Sequence, residues 1–472
     1  MRHRVRSTML VAGVLAGAMI TVNLAAQNRG GQPPVPPVPN NGAPPNPRDP
    51  APPGPGNGVP VPPNPLPAPP NNGVPPNDGA PPDGAPPNGG VPPNGGGNGG
   101  GVIAGFGGPH TGLDVTLERA FRDGRATFLE REDVADGLGP VFNDRSCAAC
   151  HDQGAIGGGS NRLVTRVGGT TGGRFDPLTE RGGSLMQERG IGPATDGRGA
   201  SFTFVGEQVP AESDVVAGRR TTPLFGLGLV DAVPDATFVA LAGAQARAGG
   251  GVAGRVSLVR DLSTGRDAVG KFGWKAQVPT LFQFAGDAYL NEMGITSPQF
   301  PDEVCPQGDC TRLVFNPAPA LNDDGRDVEA LTDFLRLLGA PPRGAVTDQV
   351  RTGATVFEAT GCGTCHVATL RTGSSAVAVL NQVSFQPYSD FLLHDMGSLG
   401  DGIEQGHATG REMRTAPLWG LRAVRRFLHD GSAGTLDQAI QRHDGQGQGA
   451  RDRFRALGAD QRAALLAFLG SL

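Results

Sequence analysis

A mainly α fold, built twice and preceded by a long segment that can form no core, is the architecture this sequence predicts. Three observations predict it: two widely separated Cys-x-x-Cys-His pentads, helical apolar patterns that recur around each, and an N-terminal concentration of proline, glycine and asparagine.

The chain has 472 residues with 75 glycines and 44 prolines, and 27 of those prolines fall within residues 33–93. The remainder has an ordinary proline content and is long enough for two domains of usual size. A wholly disordered or collagen-like protein is thereby excluded. The formal charge of -5, with no basic block in the body, argues against nucleic acid as a partner. Aromatic residues make up only 5% of the chain, so a buried cofactor could supply apolar volume that side chains do not.

Arg2, His3, Arg4 and Arg6 precede an apolar run over residues 9–22 and the small residues Ala25 and Ala26. That order predicts a secretory signal over residues 1–26. The apolar run falls short of the ~20 residues of a comfortable membrane span, so no span is expected after cleavage, and the protein is expected to be periplasmic or otherwise exported. Residues 27–104 repeat units such as Gly73-Val-Pro-Pro-Asn77 and Gly90-Val-Pro-Pro-Asn94. Proline removes backbone donors and the Gly/Asn tracts bury nothing, so this stretch reads as a disordered tether.

Four of the six cysteines form Cys147-Ala-Ala-Cys150-His151 and Cys362-Gly-Thr-Cys365-His366. Cys-x-x-Cys-His is the attachment pattern of c-type haem: two thiols add to the porphyrin vinyl groups and the next imidazole meets the iron. A redox dithiol gives no reason for a histidine after both pairs. A zinc site using four thiolates would leave both histidines idle. Two covalently bound haem c groups are therefore expected, with His151 and His366 as iron ligands; a structural calcium is left open. Cys305 and Cys310 sit in a Pro/Gly loop, where an exported protein would form a local disulfide.

The flanking helices repeat. Gly124 and Phe128 precede the first motif as Gly353 and Phe357 precede the second. Leu331, Phe334, Leu335 and Leu338 form an i, i+3, i+4, i+7 stripe, repeated by Leu465, Phe468, Leu469 and Leu472. A third echo is Arg220-Thr-Thr-Pro-Leu-Phe-Gly-Leu227 against Arg414-Thr-Ala-Pro-Leu-Trp-Gly-Leu421. Each half thus resembles a cytochrome c domain, the first over residues 105–342 and the second over 343–472. The first is enlarged by an insertion of loops and short strands, such as 163–167 and 256–259.

The remaining histidines are unevenly placed. Thr435-Leu-Asp-Gln438 reads as a capping box, and Leu436, Ala439, Ile440 and His443 then share one helix face. His443 is accordingly expected as the sixth ligand of the second iron. The matching place after Leu227 is Gly249, which offers no ligand. The first iron should be open or weakly held, the condition for reaction with peroxide or oxygen, whereas a bis-imidazole iron mainly transfers electrons. His429 reads as a hydrogen-bonding or propionate partner, and His394 and Met396 as structural.

Cys147-Ala-Ala-Cys-His151, Lys271-Phe-Gly-Trp-Lys-Ala276, Asn291-Glu-Met-Gly-Ile-Thr296, Leu393-His-Asp-Met-Gly397 and Phe427-Leu-His-Asp-Gly431 resemble the bacterial di-haem c-type oxidoreductases of peroxidase type. That family is related to the di-haem cytochrome c peroxidases and the methylamine-utilisation di-haem enzyme, and more loosely to the di-haem rubber oxygenases. The resemblance covers roughly residues 105–472. It implies a periplasmic oxidoreductase with one reactive haem and one electron-transfer haem. A small oxidant, peroxide or oxygen, and a redox partner such as a small cytochrome or cupredoxin are implied with it. In the peroxidase relatives a Met stands at the position of His443, as ligand to the second iron; His443 suggests a lower potential. Trp274 is expected near the first haem or between the two, as a relay or as packing, and Lys275 beside a propionate or peroxide. Asp231, Glu292 and Glu303 are acid–base candidates by position. The alternatives are a di-haem electron carrier without substrate chemistry and an oxygenase acting on an organic substrate.

Overall fold

The computed structural model describes residues 105–319 and 321–472. The expected signal and tether lie outside the described residues. Among the described residues nine α-helices run in chain order: α1 (Val115–Leu129), α2 (Leu227–Asp231), α3 (Asp235–Ala248), α4 (Leu281–Met293), α5 (Arg326–Leu337), α6 (Asp348–Ala359), α7 (Leu436–Gln441), α8 (Gln448–Arg455) and α9 (Ala459–Gly470).

Two helix pairs are built by one device. The Asp114 carboxylate caps α1 by accepting from the Thr116 and Leu117 N–H groups. Its buried stripe, Phe121, Gly124 and Phe128, faces α5. Gly124 permits the close crossing, since a Cβ there would lie 2.0 Å from the Ala330 carbonyl oxygen. Phe128 then meets Phe334 at a tilt of 45°, with centroids 4.7 Å apart. In the second half Thr347 caps α6, a Cβ at Gly353 would lie 2.0 Å from the Ala464 oxygen, and Phe357 meets Phe468 at 5.2 Å. Gly124→Ala or Gly353→Ala should force the paired helices apart. Urea denaturation should show a loss of about 1–3 kcal/mol for either variant, the usual cost of overpacking.

Outside these pairs the described chain is largely short strands and 3₁₀ turns, so the expectation of a mainly α fold fits the helix pairs better than the whole. The physical reason lies in residues 157–220, a Gly-rich stretch that forms only short strands and one 3₁₀ turn, whereas α3 and α4 follow it. Strand Leu163–Thr171 pairs antiparallel with Val215–Arg220 along one edge, register Val167↔Val216. On its other side it pairs with Leu185–Met186 and Arg174–Asp176. Leu393–Asp395 and Glu412–Arg414 form a second antiparallel ladder, with His394 opposite Met413. Both Val215–Arg220 and Glu412–Arg414 end on a buried arginine.

Helix α4 starts on the Thr280 hydroxyl and stops at Gly294, whose φ of 67° is left-handed backbone that glycine adopts without strain. It lies against α5 and carries Asp287, Tyr289 and Glu292. One apolar cluster joins Phe128, Phe334 and Tyr289 to Leu370, Phe385, Phe391 and Trp419, and so crosses from residues before 342 to residues after 343. A second cluster gathers Phe357, Phe454, Leu465 and Phe468. Cys305 and Cys310 are joined as a disulfide. No helix among the described residues is long and apolar enough to cross a membrane.

Candidate functional site

Each Cys-x-x-Cys-His pentad folds into a single tight turn. The His151 N–H donates to the Cys147 carbonyl at 3.1 Å, and the His366 N–H to the Cys362 carbonyl at 2.9 Å. One turn therefore gathers two thiols and an imidazole, and each set lines its own cavity. The first cavity is about 180 Å³ and the second about 580 Å³. Burial pushes the Cys147 and Cys150 thiols up to about 12 and about 11 and raises Cys362 as well.

The three imidazoles are held in one tautomer. Nδ1 of His151 donates to the Gly158 carbonyl at 2.9 Å, and Nδ1 of His366 to Tyr388 O at 3.0 Å. In the second cavity His443 Nδ1 donates to Ala439 O at 2.9 Å. With Nδ1 committed as donor, each ring keeps a lone pair on Nε2, the arrangement that orients a ligating histidine. Burial drives His151 and His366 down to about 4 and lowers His443, so all three are neutral at pH 7. The His366 and His443 ring centroids are 6.5 Å apart. Two metal–nitrogen bonds of about 2 Å each, plus about 1.1 Å from each nitrogen to its ring centre, make roughly 6 Å. The second cavity thus fits an iron held between two imidazoles. In the first, His151 is the only histidine on the wall among the described residues.

Trp274 lines both cavities. Its indole N–H donates to the Arg220 carbonyl at 2.8 Å, its own carbonyl accepts from the Arg414 N–H at 2.8 Å, and its ring meets His429 edge-on at 6.2 Å. Lys275, its neighbour, lines neither cavity and is fully buried. Its ammonium pairs with Asp401 at 3.0 Å and donates to the carbonyls of Thr409 and Glu412. The expected contact of Lys275 with a propionate or peroxide is therefore corrected. Its charge is spent inside the protein, where desolvation would punish an unpaired ammonium.

Of the three acid–base candidates, only Glu292 reaches a cavity, the first. Its Oε2 accepts from Asn143 Nδ2 at 2.7 Å, and burial raises its pKa. Asp231 accepts from the Leu281 N–H, and Glu303 from Asn316, away from both cavities. Asp287, pushed up to about 6 by burial, and Arg166, whose buried Nε has no partner, stand in the same wall as Glu292. His394 is held between Asp390 at 2.9 Å and Gln446 at 2.7 Å. Arg166, Arg220 and Arg414 were not singled out by sequence as site residues. The Arg-Thr-x-Pro echo was the available signal for Arg220 and Arg414.

Two cavities, each with two thiols and a neutral imidazole in its wall, have the donor sets of a di-haem oxidoreductase. The chain belongs to the family described as "di-haem oxidoreductase, putative peroxidase", whose profile matches residues 207–472 and so begins after the first pentad. Among solved structures it is similar to hydrazine synthase from Kuenenia stuttgartiensis, at 15% identity and a TM-score of 0.36 over 77% of this chain and 90% of that one. It is also similar to the diheme peroxidase BthA from Burkholderia thailandensis, at 14% identity and a TM-score of 0.35 over 80% and 91% of the two chains. A MauG-like protein associated with microbial copper homeostasis is 16% identical with a TM-score of 0.34, over 79% and 94%. No curated protein sequence matches the chain.

Proposed function

We propose that the chain is an exported di-haem c-type enzyme that reduces a small peroxide at its first haem and draws the electrons through its second. The observation that carries this reading is the inequality of the two cavities. The His443 ring centroid stands 6.5 Å from that of His366, whereas, among the described residues, His151 shares its cavity with the carboxyl of Glu292 and with no other histidine. Bound haem would supply an iron that reacts with peroxide in one cavity and an iron that passes single electrons in the other.

The chain's own residues do the rest. Cys147, Cys150, Cys362 and Cys365 would hold the two groups covalently, and His151, His366 and His443 would offer Nε2 to iron. Glu292 would take a proton from the near oxygen of the peroxide and return it to the far one. Arg166, Asp287 and Glu292 place ionisable groups in a first wall that is otherwise mostly apolar, where they could act on a small polar oxidant. Trp274, in contact with both cavities, would be the electron relay between them. We place residues 1–26 as a cleaved signal, 27–104 as a tether, and one haem in each of 105–342 and 343–472. A small cytochrome or cupredoxin would be the donor.

A pyridine haemochrome assay on the purified protein tests the reading: two c-type haems per chain are expected, and one or none would end it. Trp274→Phe should slow electron exchange between the haems in stopped-flow traces while haem content stays at two. Unchanged exchange would make Trp274 a packing residue.

A further inference from the structure

The duplicated Arg-Thr-x-Pro-Leu-x-Gly-Leu segments fold alike. Arg220 ends strand Val215–Arg220 and Arg414 ends strand Glu412–Arg414. Pro223 and Pro417 follow, then Gly226 and Gly420, both left-handed at φ 72° and 76°, each opening a short helical turn. The motif thus delivers one buried guanidinium per half, 5% exposed for Arg220 and 6% for Arg414.

Neither guanidinium has an acidic partner among the described residues. Arg220 donates from Nε to Ser160 O at 3.1 Å, and its buried Nη2 donates to nothing. Arg414 donates from Nε to Gly273 O at 2.6 Å and from Nη1 to Thr415 O at 3.1 Å. The nearest acids are engaged elsewhere: Asp430 with Arg442 and Ser432, Asp390 with His394 and Gln245. Burial pushes both arginines down to about 10. An unpaired buried cation is costly, and these two both stand in cavity walls, Arg220 in both cavities and Arg414 in the second. Arg166, in contrast, shares its wall with the carboxyls of Asp287 and Glu292.

We propose that Arg220 and Arg414 are a duplicated pair of carboxylate clamps, Arg220 for a propionate of the first haem and Arg414 for a propionate of the second. A guanidinium fork matches a carboxylate with two parallel hydrogen bonds, which an ammonium cannot reproduce. The same two residues hold Trp274 from either side, through the Arg220 carbonyl and the Arg414 N–H, both at 2.8 Å. The clamp and the relay are thereby one rigid unit: a propionate that seats on either arginine seats against the backbone that orients the indole.

This inference rests on the di-haem reading, and haem content measured first separates failure of that reading from failure of this one. Spectroelectrochemistry on the holoprotein then resolves the two midpoint potentials. Removing a cation beside a propionate favours the ferric haem, so Arg220→Gln should lower the first potential and Arg414→Gln only the second. Arg220→Lys and Arg414→Lys, which keep the charge, should stay close to the wild type in potential. Their resonance Raman propionate-bending bands should nevertheless shift, because a fork has become a point donor. Should a Gln variant not fold, those bands in the Lys variant decide. Unmoved bands and potentials, equal falls in Lys and Gln variants, or wild-type potentials that move with added phosphate (a free anion rather than a propionate) would each overturn the proposal.

Discussion

Glu292→Gln should cut peroxide turnover by about 10²–10⁴-fold, the range over which a positioned acid–base group contributes, while leaving two haems in the protein. The substitution keeps the shape of the side chain and its place beside Asn143, since the glutamine amide oxygen can still accept from Asn143 Nδ2. It removes only the ability to hold and release a proton. The pH profile gives a second, independent reading. For the carboxyl to accept the first proton it must start ionised, so activity should rise with pH through the Glu292 pKa. Burial has raised that pKa, so the acid limb should lie above the ordinary glutamate range near 4.3. In Glu292→Gln that limb should vanish along with the rate. An Asp287→Asn variant separates the two carboxyls of this wall. If it loses the limb and Glu292→Gln keeps it, the proton acceptor is Asp287, whose pKa is pushed up to about 6.

Why Glu292 was not separable from Asp231 and Glu303 by sequence is a matter of distance along the chain. Its hydrogen-bond partner Asn143 lies 149 positions away, and no local pattern announces which carboxyl a distant segment will place in a cavity. The same holds for Lys275: nothing in Phe-Gly-Trp-Lys shows that Asp401 will neutralise it. What was legible is what repeats or is locally determined. The pentads specify their own turns, Gly124 and Gly353 announce close helix crossings four residues before an aromatic, and Thr435 caps α7 as its spacing implies. The Arg-Thr-x-Pro echo was visible as a repeat, but its meaning depends on burial without a counter-charge, a property of the folded chain alone. The short strands of the insertion were only partly readable, because most are runs of two to six residues, which carry too little period to separate strand from loop.

The second large effect is expected at His443. His443→Ala should turn the second haem from low-spin to high-spin or water-bound and shift one potential only. Ligand field is the cause: two imidazoles pair the iron's electrons, and a methyl group in place of one cannot. The geometry makes this sharper than a general argument from helix position. The imidazole is neutral, anchored through Nδ1 to Ala439 O, and its ring centroid stands 6.5 Å from that of His366, a spacing at which both rings could hold one iron. Met396 lines the same cavity, and a thioether taking the vacancy would give a low-spin signal at raised potential rather than a high-spin one. His394→Ala is the control, since its ring nitrogens are taken by Asp390, Gln446 and the Cys365 thiol; the iron ligands of both haems should stay as they are. In the wild type the first haem should already be high-spin or bind cyanide. Electron paramagnetic resonance on the three proteins reads all of this at once. Two low-spin haems indifferent to cyanide would make the protein an electron carrier, with Met293, in the wall of the first cavity, the side chain to test next as the first iron's sixth ligand.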